Sequence, residues 1–231
     1  MNDLNFPFPI LLATRDVVLI NKPAGLAVHP GPKTPHSLED HLPGLAIGGF
    51  VPVAAHRLDR DTSGCLAIAR TRRGAKWLST AFAEQKTEKI YWAILTALPA
   101  QNEGRVVAAL AKVSTAAAGW RMVVAKELGN GGGRPAATGW RVLDPALRLV
   151  EFRPETGRTH QIRVHAAHMG CPIAGDPVYG GGSGLMRLHA RALAITLPGG
   201  ERLAVSCDPP KDWWALDWPA DWPILNGFES Q

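Results

Sequence analysis

The chain has 231 residues, 46% hydrophobic and 19% charged, which excludes an intrinsically disordered protein and is enough for one substantial core. No apolar run reaches the roughly 18 residues that a spanning helix needs, and the N-terminus MNDLNFPFPILLATRD lacks a basic start, so neither a membrane partner nor a signal peptide is expected. The net charge of +5 permits a polyanionic partner without requiring one; three distant cysteines, Cys65, Cys171 and Cys207, speak against a disulfide framework and for a reducing cytoplasm.

In chain order, residues 17 to 20, VVLI, read as a short buried strand, followed by a Pro- and Gly-rich loop, NKPAGLAVHPGP. SLEDHL starts a short helix with Ser37 as its cap. CLAIA is a short apolar strand. In TRRGAKWLSTAFAEQ, Thr71 is the predicted N-cap, and Ala75, Leu78 and Phe82 share one helix face. TEKIYWAIL is another strand. Residues 98 to 140 pattern weakly. Within them, ELGNGGGRPAAT reads as a flexible hairpin tip rather than a phosphate cradle, because no P-loop lysine accompanies its glycines. LRLVEFRP is a strand ending at the turn ETG. Thr159 is then expected to cap a helix, HQIRVHAAHMG, closed by Gly170 in the left-handed conformation. LHARALAITLP and GGERLAVSC are strands around the Gly199-Gly200 turn. The tail DWWALDWPADWP is expected to dock on the body rather than to stack on bases. Strands outnumber helices and short turns join most of them, so the predicted fold class is α+β, a mixed, mainly antiparallel sheet with flanking helices. With no repeat and no clear linker, a single domain over 1–231 is expected.

The stretch HRLDRDTSG, residues 56 to 64, is wedged between the apolar segments VPVAA and CLAIA. Charge brought to the end of a sheet is expensive unless it is paired or used. An aspartate flanked by arginines has its negative charge supported, and such a carboxylate can serve as a nucleophile. The alternative is a salt-bridged surface loop, which its place between apolar segments disfavours. Basic residues continue through Arg70, Arg72, Arg73 and Lys76. A second basic group, Arg153, Arg158 and Arg163, surrounds the start of the helix predicted after ETG, where a phosphate or carboxylate would be favoured. His160, His165, His168 and Cys171 spread around that helix, without a second ligand pair at closed-site spacing, so no metal site is predicted. Lys89 and Tyr91 share one strand face; a tyrosine there can stack on a flat base or sit in the core with its hydroxyl satisfied.

Together and in this order, these segments resemble the RluA family of RNA pseudouridine synthases. HRLDRDTSG is similar to the family's catalytic motif and KIYWA to its tyrosine motif. TGRTHQIRVHAAHMGCPIAGDPVYG is similar to its third motif, and INKPAGLAVHPG to its N-terminal strand and loop. The resemblance runs from about residue 15 to about residue 207, without a matching motif in residues 98 to 140 and without room for an S4 RNA-binding domain.

The resemblance implies the pseudouridine synthase fold with a central cleft, and isomerisation of uridine in structured RNA, a stem–loop of 23S rRNA or tRNA, with no cofactor and no metal. The N1–C1′ bond breaks, the uracil turns while held, and C5 bonds to C1′. Asp59 would be the nucleophile. Arg57 would fill the gap left by a flipped-out nucleotide, Tyr91 would stack on the uracil, Ile162 would pack near it, and Arg163 would pair with Asp59. Arg158, Arg60, Arg72 and Arg73 would meet the RNA, and Asp61 would be structural. A monomer in the cytoplasm is expected. Flipping costs a few kcal/mol, which phosphate contacts offset, and holding the detached base close to C1′ supplies much of the rate. An RNA-binding module that has lost catalysis should lack the Asp, Tyr or Arg, and all three are present. A glycoside hydrolase needs two carboxylates across a sugar, which Asp59 and Asp61 fit poorly.

Overall fold

The apolar runs VVLI and CLAIA pair with each other antiparallel inside the first of two compact units, Met1–Lys89 with His189–Gln231, the second being Ile90–Leu188. The computed structural model describes residues 6–31, 34–115, 119–126, 132–180 and 182–213. The chain begins with β1 (Ile10–Ala13) and β2 (Val17–Lys22), then a short 3-10 helix (Leu38–Leu45), β3 (Val53–Ala54), β4 (Ser63–Ala69), α1 (Arg72–Ala83) and β5 (Thr87–Ile94). Strand β5 carries the chain into the second unit, which holds β6 (Glu103–Val107), β7 (Leu110–Thr115), β8 (Gly119–Val124), β9 (Ala137–Asp144), β10 (Leu149–Pro154) and α2 (Gln161–His168). The chain then returns through β11 (Leu188–Thr196) and β12 (Arg202–Ser206).

In the first unit β1, β2, β4 and β11 lie side by side in that order, with β3 also paired to β4 and β12 also paired to β11. The pairings of β1 with β2, β2 with β4, β3 with β4 and β11 with β12 are antiparallel, and that of β4 with β11 is parallel. All seven residues of β4 are buried, as a strand covered on both faces requires. Helix α1 starts where predicted: the Thr71 hydroxyl accepts from the Gly74 amide at 3.0 Å. Its Leu78 is fully buried, with Ala75 and Phe82 packed on the same cluster of Val17, Leu19, Ala67 and Leu193. Ser37 caps the 3-10 helix, its amide donating to Asp40 Oδ2 at 3.0 Å. Of the tryptophan-rich tail, Trp213 is docked: it is buried, edge-on to His189 with ring centroids 6.1 Å apart. Trp214, Trp218 and Trp222 lie outside the described residues.

In the second unit β5, β10, β9 and β6 pair in that order, all antiparallel, while β7 and β8 form a separate hairpin. One face of the sheet, with Ala93, Val150 and Phe152, packs against Ile162 and Ala166 of α2. The weakly patterned interval 98 to 140 thus contains β6, β7 and β8 and the start of β9. They escaped the sequence reading because they are largely solvated: β6 alternates exposed and half-buried residues, and Val107, Val113 and Trp120 are exposed. Part of the glycine-rich segment, Glu127 to Gly131, lies outside the described residues. One cap prediction is corrected. Helix α2 is preceded by His160, not by a capping Thr159, and His160 is left-handed, at φ 53°. The loop before it is closed instead by the side chain of Gln161. At the other end Gly170 is left-handed, φ 77°, as predicted. The α+β class with a mainly antiparallel mixed sheet is borne out.

Candidate active site

HRLDRDTSG runs directly into β4 and belongs to the first unit. Asp59 is half-buried; its carbonyl accepts from the Thr62 amide at 3.1 Å, which closes a turn just before the strand. Arg57 is exposed. Arg60 donates to both carboxylate oxygens of Asp61, at 2.9 and 3.2 Å. At the end of the motif, Gly64 has φ 111°, and a Cβ there would lie 2.3 Å from the Ala190 carbonyl oxygen, so only glycine lets β11 approach this closely. Ser63 beside it meets His189 Nδ1 at 2.8 Å, while His189 Nε2 lies 2.9 Å from the Cys207 carbonyl. A carbonyl only accepts, so Nε2 carries the proton and the Ser63 hydroxyl donates to Nδ1. His56, at the start of the motif, accepts the Ala67 amide at 3.0 Å through Nε2. Burial, with the nearby Lys89 charge, pushes its pKa down to about 3, so it is neutral at neutral pH.

Beneath this loop lies a residue that sequence reasoning missed. Lys22, at the end of β2, is fully buried, and its Nζ donates to the carbonyls of Pro23 and Leu26 at 2.7 Å each and to that of Arg60 at 3.1 Å. Burial pushes its pKa down to about 8, against the pull of Asp61 and then Asp59. An ammonium with three carbonyl partners is satisfied as a donor, and its charge is balanced by the aspartates of the loop it supports. The only signal in the sequence was its place in INKPAG, a segment similar to the family's N-terminal motif.

Tyr91, Ile162 and Arg163 belong to the second unit. Tyr91 sits on β5 opposite Phe152 and packs against the same apolar cluster as Ile162, so the structure brings these two together. Arg163 is buried and forms a two-pronged pair with Asp176, Nε to Oδ2 at 2.7 Å and Nη2 to Oδ1 at 2.8 Å. Burial acts to raise the Asp176 pKa, but the Arg163 bonds and charge, with the Val178 and Tyr179 amides, outweigh it and hold it below the usual carboxylate range. The guanidinium also lies 5.1 Å from the Tyr179 ring centroid. Asp176 and Tyr179 come from GDPVYG, inside the third motif, but their spacing from Arg163 carries no periodic signal.

Gln161 organises the segment ahead of the helix. Its Oε1 accepts from Thr156 Oγ1 at 2.7 Å and from the Arg158 amide at 2.9 Å, while Nε2 donates to the Ala137 carbonyl at 2.9 Å. Arg158 Nε donates to the Pro135 carbonyl at 3.1 Å. His165 is buried between Thr138 Oγ1 and the Ala108 carbonyl, and burial pushes its pKa down. Among the described residues no group of three or more His, Cys, Asp or Glu side chains could hold a metal ion. The remaining basic candidates lie at the start of α1. Arg72 is exposed, whereas Arg73 is paired with Asp16 and lies over Trp77, 4.8 Å from its ring centroid.

The model of the RNA pseudouridylate synthase family matches residues 16–168, which takes in the Asp59 loop, the Tyr91 strand and most of the third motif. The chain belongs to this family, whose members are isomerases, and the RluA-type resemblance of its motifs is borne out. It is 44% identical over 194 residues to an uncharacterized RNA pseudouridine synthase of Zymomonas mobilis, covering 80% of this chain and 86% of that protein. It is 35% identical over 195 residues to ribosomal large subunit pseudouridine synthase C of Rickettsia conorii, covering 81% of this chain but 63% of that one. The solved structure of human RNA pseudouridylate synthase domain containing 1 superposes with a TM-score of 0.74 at 28% identity, over 89% of this chain and 84% of that one. Among the described residues no helix is long and apolar enough to cross a membrane.

Proposed function

We propose that this chain isomerises specific uridines in structured RNA, in stem–loops of 23S rRNA or tRNA, to pseudouridine, with Asp59 as nucleophile acting on a nucleotide flipped out of its helix. The observation that carries the reading is the Asp59 loop itself: a half-buried carboxylate in a turn at the end of a fully buried strand, with a buried lysine beneath it. A relative named as a ribosomal large subunit pseudouridine synthase supports the choice of a ribosomal target. A base inside a duplex cannot reach a carboxylate, so the nucleotide leaves the stack, and exposed Arg57 is suited to take its place. Tyr91 stacks on the uracil, Ile162 packs at its edge, and Arg163, steadied by Asp176, pairs with Asp59. Arg158, Arg60, Arg72 and Arg73 serve as contacts to the RNA backbone. The N1–C1′ bond breaks, a C5–C1′ bond forms within the same nucleotide, C5 gives up its proton and N1 takes one up, so mass is unchanged and no redox partner is consumed. The chain acts as one catalytic domain and as a monomer in the cytoplasm.

The test is to map pseudouridines in cellular RNA with and without the protein, and then with Asp59→Asn. We expect the variant to bind RNA within about threefold of the wild type and to lose product formation by about three orders of magnitude or more, the scale on which loss of a covalent nucleophile is felt. Full activity in Asp59→Asn, or release of free uracil by the wild type, would reject the assignment.

A further inference from the structure

We propose that the β7–β8 hairpin carries a stacking site for an unpaired RNA base, centred on Trp120 and distinct from Tyr91. The inference rests on RNA being the substrate, and names a contact beyond the target uridine. Trp120 is 46% exposed, while the other described tryptophans are buried or half-buried. The hairpin has apolar seating from other residues. Met122 and Val124 already pack it against Val164 and Tyr179 in a cluster that does not include Trp120.

The ring is held as a platform. His160 stacks against it with centroids 5.2 Å apart and planes 28° apart. His160 is fixed in turn by its left-handed backbone and by Tyr179, whose hydroxyl lies 2.9 Å from Nδ1. The same hydroxyl accepts the Met122 amide at 3.1 Å, so strand, tyrosine and histidine form one rigid support. A left-handed non-glycine residue costs about 1–3 kcal/mol and persists only where its surroundings over-determine it. That cost is sustained at the residue which backs the exposed indole.

The surroundings suit a nucleic acid. Residues 110 to 126 carry Lys112, Arg121 and Lys126 and no acidic residue. Arg121 and Lys126 are exposed, and the Lys112 ammonium lies 4.9 Å from the Trp120 ring centroid. A lysine over an exposed indole is held by only about 0.5–1 kcal/mol, so a base can displace it and leave the ammonium for a phosphate. A planar aromatic extended from a Trp–His stack, with cations beside it, is the combination that binds unpaired bases.

The experiment compares wild type, Trp120→Ala and Trp120→Phe for binding to a fluorescein-labelled RNA stem–loop and to a fully paired duplex of the same length. Base–aromatic stacking of about 1–3 kcal/mol corresponds to about 5- to 150-fold in Kd. We therefore expect Trp120→Ala to weaken stem–loop binding at least about fivefold and Trp120→Phe to restore most of it, with duplex binding and kcat at saturating RNA unchanged. Ultraviolet crosslinking of the wild type, which needs no variant, should place a nucleotide on the Trp120 peptide. The proposal is overturned if stem–loop and duplex binding fall equally, or if affinity is unchanged. It is also overturned if kcat alone falls, which would make Trp120 a support for His160. Because these arms read binding, they decide the question even if Asp59→Asn shows the isomerase reading to be wrong.

Discussion

The Asp59 loop and the Arg163 segment both bring charge to the edge of a core, by different means. In the first, a fully buried lysine from the neighbouring strand β2 reaches under the loop and binds backbone carbonyls, including that of Arg60. The loop is held by its main chain, and its carboxylates balance the charge below. In the second, the arginine itself is buried, and an aspartate thirteen positions on in the same motif clamps it through two side-chain bonds. The contrast teaches that a charge at the edge of a core can be positioned through the backbone that carries it or through its own side-chain atoms. The two arrangements should fail differently when a partner is removed.

The sharpest break is Asp176→Asn. Breaking a buried, two-pronged ion pair from one side is strongly destabilising, and about 3–5 kcal/mol of unfolding free energy should be lost at neutral pH, read by urea denaturation. Because the Asp176 pKa is lowered in the folded chain, its contribution is present above the ordinary carboxylate value of 3.8 and fades as pH falls through the folded-state value. A loss under about 1 kcal/mol would mean that the pair is not what holds Arg163.

Lys22→Met should cost less, about 2 kcal/mol, because stranded carbonyls are partly offset by no longer burying a charge. The pH dependence separates the two cases. Between its folded value of about 8 and its ordinary 10.5, Lys22 keeps its proton in the unfolded chain and releases it in the folded one. The unfolded state then binds more protons, so the stability advantage of the wild type over Lys22→Met should widen as pH rises through that window. A constant difference would show that Lys22 stays charged. The smallest effect is expected for Ser63→Ala, about 1 kcal/mol for one buried hydroxyl bond to His189, measured by the same denaturation with RNA binding unchanged.

Much of this was legible in the residues. Thr71 and Gly170 announced the ends of their helices because capping is local chemistry, read within four residues. CLAIA announced a buried strand because its apolar run has no polar face to solvate. Thr159 misled for an equally local reason. A threonine before an apolar helix reads as a cap, but Gln161 satisfies the Arg158 amide from inside the helix and His160 takes the capping position. Strands β6 to β9 were invisible because hairpins that keep one face in water alternate too weakly to stand out from loops.

By itself, the sequence determined the family and where its motifs fall: which nine residues carry Asp59, which strand carries Tyr91 and which helix carries Arg163, since those identities and spacings are written along the chain. Only the tertiary structure decided what supports them. Lys22 under the Asp59 loop, Asp176 against Arg163, His189 behind Ser63 and His160 behind Trp120 are contacts between positions whose separation follows no period. They arise because burying a charge or a hydroxyl demands a partner, and the chain finds that partner through packing in three dimensions.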